Sequence, residues 1–364
     1  MAEITAFGDI LTGDALAMLR TLPDQSVHCC VTSPPYWGLR DYGVSGQIGL
    51  ESSPQEYVAA LMPIFHEVHR VLRADGTLWL NLGDSYIGYH GNKKAHGSAA
   101  PSDKDGYREN MRVTSVGADG LKNKDMAGIP WRVVFALQEQ GWYLRCDIIW
   151  AKPNPMPESV QDRPTRAHEY LFLLSRSERY YYDHEAVREA AAPSCKGNAK
   201  TFRGGGAYTG GRSFDNSTDA VRNSHGNAPQ GDIRAVKRHS VRPGIDVKGG
   251  NQGMGKMTYP LYTRNRRSVW SVATHPFPDA HFATFPPELV RPCILAGCPA
   301  GGVVLDPFFG AGTVGAVCVE EKRRYLGIEI NPDYVAMASD RIAAAEMKAK
   351  APKQASLLQL ERAI

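Results

Sequence analysis

Asp306-Pro307-Phe308-Phe309-Gly310-Ala311-Gly312-Thr313 decides the fold of this chain, and it directly follows the apolar run Val303-Val304-Leu305. The run predicts a buried strand, the glycine-containing stretch predicts the turn after it, and residues 314–321 predict a helix. A second strand over residues 325–330 and a helix over residues 332–345 complete a βαβα unit with a glycine-rich first turn. This order of elements predicts an open α/β sheet.

The glycine-rich turn has the features of a nucleoside site. Gly310 and Gly312 let the backbone approach a ligand closely, and the helix that begins at Thr313 favours an anion at its N-terminus. Glu329 follows about 20 residues later at the end of the second strand, where an acidic side chain binds ribose hydroxyls. The third glycine of a dinucleotide motif is displaced to Gly315. The turn therefore predicts a nucleoside with a small anionic tail rather than a dinucleotide.

A second stretch, Thr32-Ser33-Pro34-Pro35-Tyr36-Trp37, also follows an apolar run. The two prolines fix the backbone and remove two donors, so the chain leaves the strand as a stiff turn. The hydroxyl of Ser33 and the turn carbonyls are acceptors, and Tyr36 and Trp37 offer aromatic faces. This set suits a planar ring that carries an amino group. The alternative is an ordinary Pro-Pro turn whose aromatic residues fill the edge of the core.

The rest of the chain reads as further αβ units, and Asp14 stands at one of their junctions. Asp14 lies between a predicted strand over residues 4–11 and a short helix ending at Leu19, where open sheets bind ligands; the alternative role is an N-cap. Residues 88–127 predict a loop, either closing over a ligand or disordered. The other predicted elements are helices over residues 54–72 and 129–140, a turn at Asp75-Gly76, and strands over residues 77–82, 143–150 and 168–175.

Composition indicates a globular protein of 364 residues with 43% hydrophobic and 22% charged residues. This length predicts one large domain with an insertion, or two domains. No apolar run is long enough to span a membrane, and no signal sequence is evident. The seven cysteines do not form paired motifs, which indicates a reducing compartment. Cys293 and Cys298 are expected to be core residues, and no metal site is predicted.

The formal net charge of +4 is unevenly distributed. Residues 194–268 hold 14 lysines and arginines against 4 aspartates and no glutamate. Glycines punctuate this basic block and long apolar periodicity disappears, so the block predicts an irregular segment that orders on a polyanion. Near its end, arginines alternate with aromatic residues, a combination that suits phosphates, guanine edges and stacked bases; the alternative is a solvated basic loop. These residues are Arg264, Arg266 and Arg267 beside Tyr259, Tyr262 and Trp270.

The two motifs together resemble those of a known family. Residues 306–313 resemble the S-adenosylmethionine motif of DNA amino-methyltransferases, and residues 32–37 resemble their catalytic motif. The catalytic motif comes first and a basic region separates the two, which is similar to the β-group order. Residues 281–286 resemble an additional cofactor segment of this family. The resemblance implies a circularly permuted, Rossmann-like class I methyltransferase sheet with an inserted irregular target-recognition region.

The resemblance also implies a division of the chain and a set of functional residues. Residues 1–184 would form the catalytic half, residues 185–275 the target-recognition insertion, and residues 276–364 the cofactor-binding half. The implied catalytic residues are Ser33, Pro34, Pro35 and Tyr36. The implied residues for S-adenosyl-L-methionine are Asp14, Thr284, Phe285, Asp306, Phe308, Gly310, Gly312, Thr313 and Glu329. The implied DNA-binding residues are Arg264, Arg266 and Arg267.

The resemblance implies methylation of double-stranded DNA, and the residue before Pro34 bears on the target base. Serine at this position is similar to enzymes that methylate cytosine N4, whereas aspartate is usual for adenine N6. A C5-cytosine enzyme is disfavoured because Pro292-Cys293 precedes the cofactor motif instead of following it. The alternatives left open are N6-adenine methylation, methylation of RNA or a protein amide, and a non-catalytic DNA-binding module.

Expected surroundings complete the prediction. A bacterial or phage-encoded protein of the cytoplasm is expected, without membrane contact. A homodimer and a cognate restriction endonuclease are the candidate protein partners.

Overall fold

The computed structural model describes residues 8–38, 44, 46–88, 118–190, 263–274 and 286–350. Within these ranges the strands are β1 (Gly8–Thr12), β2 (Val27–Thr32), β3 (Leu72–Leu82), β4 (Tyr143–Ala151), β5 (His168–Ser175), β6 (Glu189–Ala190), β7 (Thr263–Arg264), β8 (Val269–Ser271), β9 (Val303–Asp306) and β10 (Arg324–Glu329). The α-helices are α1 (Ala15–Leu19), α2 (Pro54–Val71), α3 (Ile129–Glu139), α4 (Pro287–Gly297), α5 (Thr313–Glu320) and α6 (Pro332–Lys350).

The chain divides into two compact units. The larger unit comprises Met1–Val187 and Arg266–Ile364, and the smaller unit is Arg188–Asn265. The described part of the smaller unit is a short antiparallel ladder between β6 and β7. The three-part functional division predicted from the sequence, with boundaries at residues 184 and 275, remains a prediction.

An eight-stranded sheet in the order β1-β10-β9-β2-β3-β5-β4-β8 organises the larger unit. The strands from β1 to β3 are parallel, β5 is antiparallel to both of its neighbours, and β8 is parallel to β4. Strand β9 connects through α5 to β10 on one side, whereas β2 connects through α2 to β3 on the other. The strand order therefore reverses between β9 and β2, where open α/β sheets bind their ligands.

Both faces of the sheet are covered, as expected for parallel strands rich in apolar residues. Alternate residues of β2 show this arrangement, because Cys30 packs in one core cluster while Cys29 and Val31 pack in the other. Helices α1, α2 and α3 contribute to the first cluster, and α4, α5 and α6 contribute to the second. Cys293 and Cys298 are buried in the second cluster, as predicted, and burial raises the pKa of the Cys298 thiol to about 12.

Two local predictions were wrong. The expected turn at Asp75-Gly76 lies inside β3, which begins at Leu72 directly after α2. The register with β2 shifts between Leu72 and Thr77, so these residues form a bulge and not a connection. A β-carbon on Gly76 would lie 2.9 Å from Leu72 Cδ2 and 3.0 Å from the Arg73 oxygen, which explains the glycine in this bulge.

The expected irregular character of residues 185–275 also needs correction at its end. Strand β8 lies within that range and pairs with β4 in the central sheet. Trp270 at its centre is buried, donates to the Arg267 carbonyl over 2.6 Å and packs near Trp79. Trp270 is therefore a core residue and not a face for stacking bases. Residues 191–262, including Tyr259 and Tyr262, lie outside the described residues, as do residues 89–117 of the predicted loop.

Candidate active site

The Pro-Pro turn follows β2 and contains both structural and exposed groups. The Pro35 carbonyl accepts a 2.8 Å hydrogen bond from the Tyr57 hydroxyl of α2. The ring of Trp37 is 1% exposed and donates to the Glu51 carbonyl, so the expectation that Trp37 offers a stacking face was wrong. Tyr36 is half-buried. A β-carbon on Gly83 would lie 2.5 Å from Tyr36 Cε2, so the edge of this ring lies against the backbone after β3.

The predicted catalytic residues contact a polar network on β3 and β5. Ser33 Oγ donates to Asn81 Oδ1 over 3.3 Å, and the Tyr36 hydroxyl donates to Glu169 Oε2 over 2.7 Å. The amide of Asn81 donates to the Tyr170 carbonyl over 3.0 Å and to Glu169 Oε2 over 3.3 Å. The Ser33 hydroxyl and the Tyr36 ring are thus held by side chains outside the motif.

A partly buried cation completes this network. Lys152 Nζ pairs with Glu169 Oε1 and lies 4.4 Å from the centroid of the Trp150 ring. The side chains of Lys152 and Glu169 are only 18% and 15% exposed. Burial, and then the neighbouring Glu169 carboxylate, raise the pKa of Tyr36 well above its ordinary value. The Tyr36 hydroxyl therefore stays protonated and acts as a donor.

Asn81, Glu169 and Lys152 were not predicted as site residues. A signal was nevertheless present, since Asn81 interrupts the buried run Leu78–Leu82 and Glu169 opens an apolar strand. Polar side chains inside buried strands are costly unless they are paired, so they point to a partner or a function. Their partners were not readable, because they come from strands that are far apart along the chain.

Asp306 ends β9 and begins the glycine-rich turn. Its Oδ1 accepts hydrogen bonds from Thr32 Oγ1 over 2.6 Å and from the Phe308 backbone N–H over 3.1 Å. Its Oδ2 is buried and has no hydrogen-bond partner among the described residues. Burial raises the pKa of Asp306 to about 7, while the Thr32 hydrogen bond acts in the opposite direction. A cationic or donor group of a ligand would satisfy this oxygen.

The two glycines of the turn adopt the left-handed conformation, with φ of +50° at Gly310 and +74° at Gly312. The Gly310 N–H donates to Glu329 Oε2 over 2.7 Å, and the Asn331 N–H donates to Glu329 Oε1 over 2.8 Å. Burial raises the pKa of Glu329. Each carboxylate oxygen can accept a further hydrogen bond. Glu329 lies at the end of β10 as predicted, and its contact with ribose remains a prediction.

Other predicted cofactor residues surround this turn. Thr313 is the first residue of α5 and accepts a 2.8 Å hydrogen bond from Arg341 Nη1. The ring of Phe308 is half-buried beside the core. Asp14 caps α1 by accepting the Ala17 N–H over 2.8 Å, so the alternative role assigned to it is confirmed. The role of Asp14 toward adenine remains a prediction. Thr284 and Phe285 lie outside the described residues.

The three predicted DNA-binding arginines differ in their surroundings. In the smaller unit, Arg264 forms an ion pair of 2.7 Å with Glu189. In the larger unit, the Arg266 guanidinium stacks 4.3 Å above the Trp270 ring, while Arg267 is exposed. The roles of these residues toward DNA remain predictions. Within the described ranges, no cluster of side chains could hold a metal ion, and no helix is long and apolar enough to cross a membrane.

A family model described as DNA methylase matches residues 27–340 of this chain. The chain belongs to this family. It is 48% identical over 333 residues to the type II methyltransferase M.Cfr9I of Citrobacter freundii, covering 92% of this chain and 87% of that protein. It is 42% identical to the type II methyltransferase M.SmaI of Serratia marcescens, covering 92% of this chain and 90% of that protein. The predicted assignment to the DNA methyltransferases is therefore confirmed.

A solved structure shares the fold. The PvuII DNA methyltransferase (cytosine-N4-specific) aligns with a TM-score of 0.55 and 17% identity, covering 95% of this chain and 93% of that one. This similarity confirms the predicted methyltransferase sheet. The Pro-Pro turn and the glycine-rich turn therefore follow neighbouring strands at the point where the strand order of this methyltransferase fold reverses.

Proposed function

We propose that this DNA methylase transfers a methyl group from S-adenosylmethionine to the N4 amino group of cytosine in double-stranded DNA. The observation that supports the cytosine assignment is the Ser33 hydroxyl, whose hydrogen is donated to Asn81 Oδ1. Its lone pairs remain able to accept a hydrogen bond from an amino group. A carboxylate in place of Ser33 would instead add a formal charge.

The residues around the glycine-rich turn fit S-adenosylmethionine. The buried Oδ2 of Asp306 has no hydrogen-bond partner among the described residues, which suits a ligand that carries positive charge. A β-carbon on Gly310 would meet no atom of the described residues within 4 Å, which leaves space beside this backbone for a ligand. Glu329 retains acceptor capacity for hydroxyl groups. Asp306, Gly310 and Glu329 would hold the cofactor, which supplies the electrophilic methyl of its sulfonium when bound.

The catalytic turn would act on a base rotated out of the duplex, because the amino group is inaccessible inside the stack. Tyr36 would support the base, while the Ser33 hydroxyl and the Pro34 carbonyl accept its amino hydrogens. No donor in the described chain is hydrogen-bonded to this carbonyl. These two contacts draw the nitrogen lone pair out of conjugation with the ring, and they strengthen as charge develops in the transition state.

The proton that the amino group loses during methyl transfer is not expected to pass through Ser33. The amino nitrogen gains a methyl group and loses one proton. The neighbour of the Ser33 hydroxyl is the neutral amide of Asn81, which cannot take up a proton at ordinary pH. Ser33 therefore acts as an acceptor that orients the amino group, and the proton leaves to water.

The test is to express the chain in a host that lacks DNA methylation and to sequence its DNA by a method that separates N4-methylcytosine from N6-methyladenine. N4-methylcytosine at one recurring sequence is expected. Ser33→Ala should retain cofactor binding and lose most turnover, whereas Ser339→Ala, on the exposed face of α6, should behave like the parent. N6-methyladenine in the parent would overturn the cytosine assignment, and methylated RNA without methylated DNA would overturn the substrate class.

A further inference from the structure

The carboxylate of Glu169 links two parts of the catalytic turn from outside the motif. Glu169 is the second residue of β5, beside the end of β4. Its Oε2 accepts the Tyr36 hydroxyl over 2.7 Å and the Asn81 amide over 3.3 Å, and its Oε1 pairs with Lys152. One side chain thus contacts both the residue proposed to support the base and the residue that holds Ser33.

The distances in this network indicate which acceptor receives the hydroxyl hydrogen of Tyr36 and which receives that of Ser33. The Tyr36 hydroxyl has one hydrogen and lies 2.7 Å from Glu169 Oε2 but 3.0 Å from Asn81 Oδ1. Hydrogen bonds to a carboxylate are shorter and stronger than those to an amide, so this hydrogen goes to Glu169. The Tyr170 carbonyl accepts from Asn81 Nδ2 and thereby orients the amide. Asn81 Oδ1 then receives the hydrogen of Ser33.

The ion pair of Glu169 with Lys152 is mostly removed from water, which makes it a weak source of folding stability. In a low-dielectric region, however, a satisfied polar network holds its members in one arrangement. Lys152 also lies over the Trp150 ring, which restricts the position of its ammonium group. The network is therefore better suited to fixing side-chain orientation than to stabilising the fold.

We propose that Glu169, held by Lys152, is a positioning residue for methyl transfer that orients Tyr36 directly and Ser33 through Asn81. This inference rests on the proposed function, because it assigns Tyr36 and Ser33 to the flipped base. Glu169 reaches Ser33 through the neutral amide of Asn81 and through the Tyr36 hydroxyl, whose pKa is raised well above its ordinary value. Neither link readily gives up or takes up a proton at ordinary pH, so positioning is the role assigned to Glu169. Its effect should therefore appear in the chemical step and not in cofactor binding.

The experiment uses the full-length protein and measures the single-turnover rate of methyl transfer to a DNA duplex. Glu169→Ala should lower this rate roughly 10- to 100-fold, because small misplacements of reacting groups have effects of that size. The dissociation constant for S-adenosylmethionine, measured by calorimetry, should change less than about two-fold. Glu169→Gln keeps an acceptor for Tyr36 but loses the charge that pairs with Lys152, so its rate should lie between those of Glu169→Ala and the parent.

A double-mutant cycle tests whether Glu169 acts through Tyr36. Tyr36→Phe removes the hydroxyl donor, so it should slow the reaction in the parent but add little in the Glu169→Ala background. Glu321→Ala provides a matched control, since it removes a partly buried ion pair with Arg291 that lies outside the catalytic network. Its single-turnover rate should equal that of the parent.

The outcomes separate this inference from the proposed function. A parent protein that methylates no duplex would overturn the proposed function. If the parent is active and Glu169→Ala is equally active, the positioning role alone is overturned. The same follows if the double variant of Glu169→Ala and Tyr36→Phe is slowed by the product of the two single reductions in rate, since the residues would then act independently. If Glu169→Ala does not fold, the same comparison is made with Glu169→Gln, and a rate equal to that of the parent again overturns the inference.

Discussion

Thr32 Oγ1 donates a 2.6 Å hydrogen bond to Asp306 Oδ1, and both side chains are buried. The residues are 274 positions apart along the chain, yet they end the neighbouring parallel strands β2 and β9. This contact joins the last residue before the Pro-Pro turn to the first residue of the glycine-rich turn. The permuted order of the motifs therefore does not separate them in space, because both follow strands at the point where the sheet order reverses.

Replacing Thr32 should destabilise the protein in a way that depends on pH. Thr32→Val keeps the shape of the side chain but removes a donor from the buried Asp306, at a cost of about 1–3 kcal/mol when Asp306 is ionised. Since the pKa of Asp306 is raised to about 7, the cost should be larger at pH 8 than at pH 6. Urea unfolding at both pH values measures this difference.

Thr77→Val is the matched control for this experiment. Thr77 is also buried in the sheet, but its hydroxyl contacts the Cys29 sulfur and the Trp79 ring nitrogen. Burial raises the pKa of Cys29 well above its ordinary value, so none of these groups titrates between pH 6 and pH 8. The cost of Thr77→Val should be independent of pH in this interval. An equal cost of Thr32→Val at both pH values would contradict the titration assigned to Asp306.

The raised pKa of Asp306 also predicts how cofactor binding depends on pH. Below pH 7 the free protein holds a proton on Asp306, and a positively charged cofactor favours the ionised form. Binding should therefore release a proton, and affinity for S-adenosylmethionine should increase as pH rises from 6 to 8. Calorimetry in buffers of different ionisation enthalpy measures the proton released. Asp306→Asn should abolish this pH dependence, and a dependence that survives the substitution would assign it to another group.

The same shift predicts the stability of the unliganded fold. The pKa of Asp306 is about 7 in the folded chain and near 3.8 when unperturbed. Between these values the folded state binds more protons than the unfolded state, so this group lowers the free energy of unfolding as pH rises from about 4 to about 7. Above pH 7 its contribution is constant. This sign is opposite to that of an ion-paired carboxylate.

Much of the fold was predictable because its signals are local. The apolar run before Asp306 is β9 and the residues after Gly312 form α5, so strand, turn and helix follow one another as the pattern indicates. The bulge at Gly76 was missed because an aspartate followed by glycine is a usual turn sequence, whereas here the register with β2 decides its conformation. Strand β8 was missed because a three-residue strand carries no periodicity of its own.

The site was predictable in its motifs but not in its network. Ser33 and Tyr36 are identified by the prolines between them, which constrain the backbone locally. Asn81 and Glu169 contact them only when β3, β5 and the Pro-Pro turn come together, and no local pattern encodes that pairing. Trp37 was assigned wrongly because sequence does not distinguish a buried ring from an exposed one in a turn.

The arginines predicted to bind DNA should differ in their effect on salt dependence. Arg267 is exposed to solvent, while Arg264 is half-buried and pairs with Glu189 over 2.7 Å. Arg267→Ala should reduce the slope of log K against log salt by about 0.9, the value for one phosphate contact, and Arg264→Ala should reduce it less. Fluorescence anisotropy with a labelled duplex over a salt series measures both slopes. If Arg264→Ala changed the slope more than Arg267→Ala did, Arg264 and not Arg267 would be the stronger phosphate contact.

Gly310 and Gly312 of the glycine-rich turn should respond differently when each is changed to alanine. One substitution should mainly lower the stability of the protein, and the other should mainly weaken cofactor binding. Both glycines have positive φ, which costs a residue with a β-carbon about 1–2 kcal/mol. At Gly312 the new β-carbon would also lie 2.8 Å from Ala338 Cβ in α6, adding about 1–3 kcal/mol of overpacking. At Gly310 it would meet no atom of the part of the chain that the structure describes within 4 Å and would enter the space proposed for the cofactor.

Gly312→Ala should therefore cause the larger loss in urea unfolding, while Gly310→Ala should weaken S-adenosylmethionine binding by about tenfold or more, equivalent to about 1.4 kcal/mol. Calorimetry at a temperature below the unfolding transition of both variants measures the affinity. If stability falls more in Gly312→Ala and affinity falls more in Gly310→Ala, the turn binds the cofactor at Gly310 and does not serve the fold alone. If Gly310→Ala bound the cofactor as tightly as the parent does, the space beside Gly310 would not be the binding site, and Asp306 Oδ2 would need a different partner.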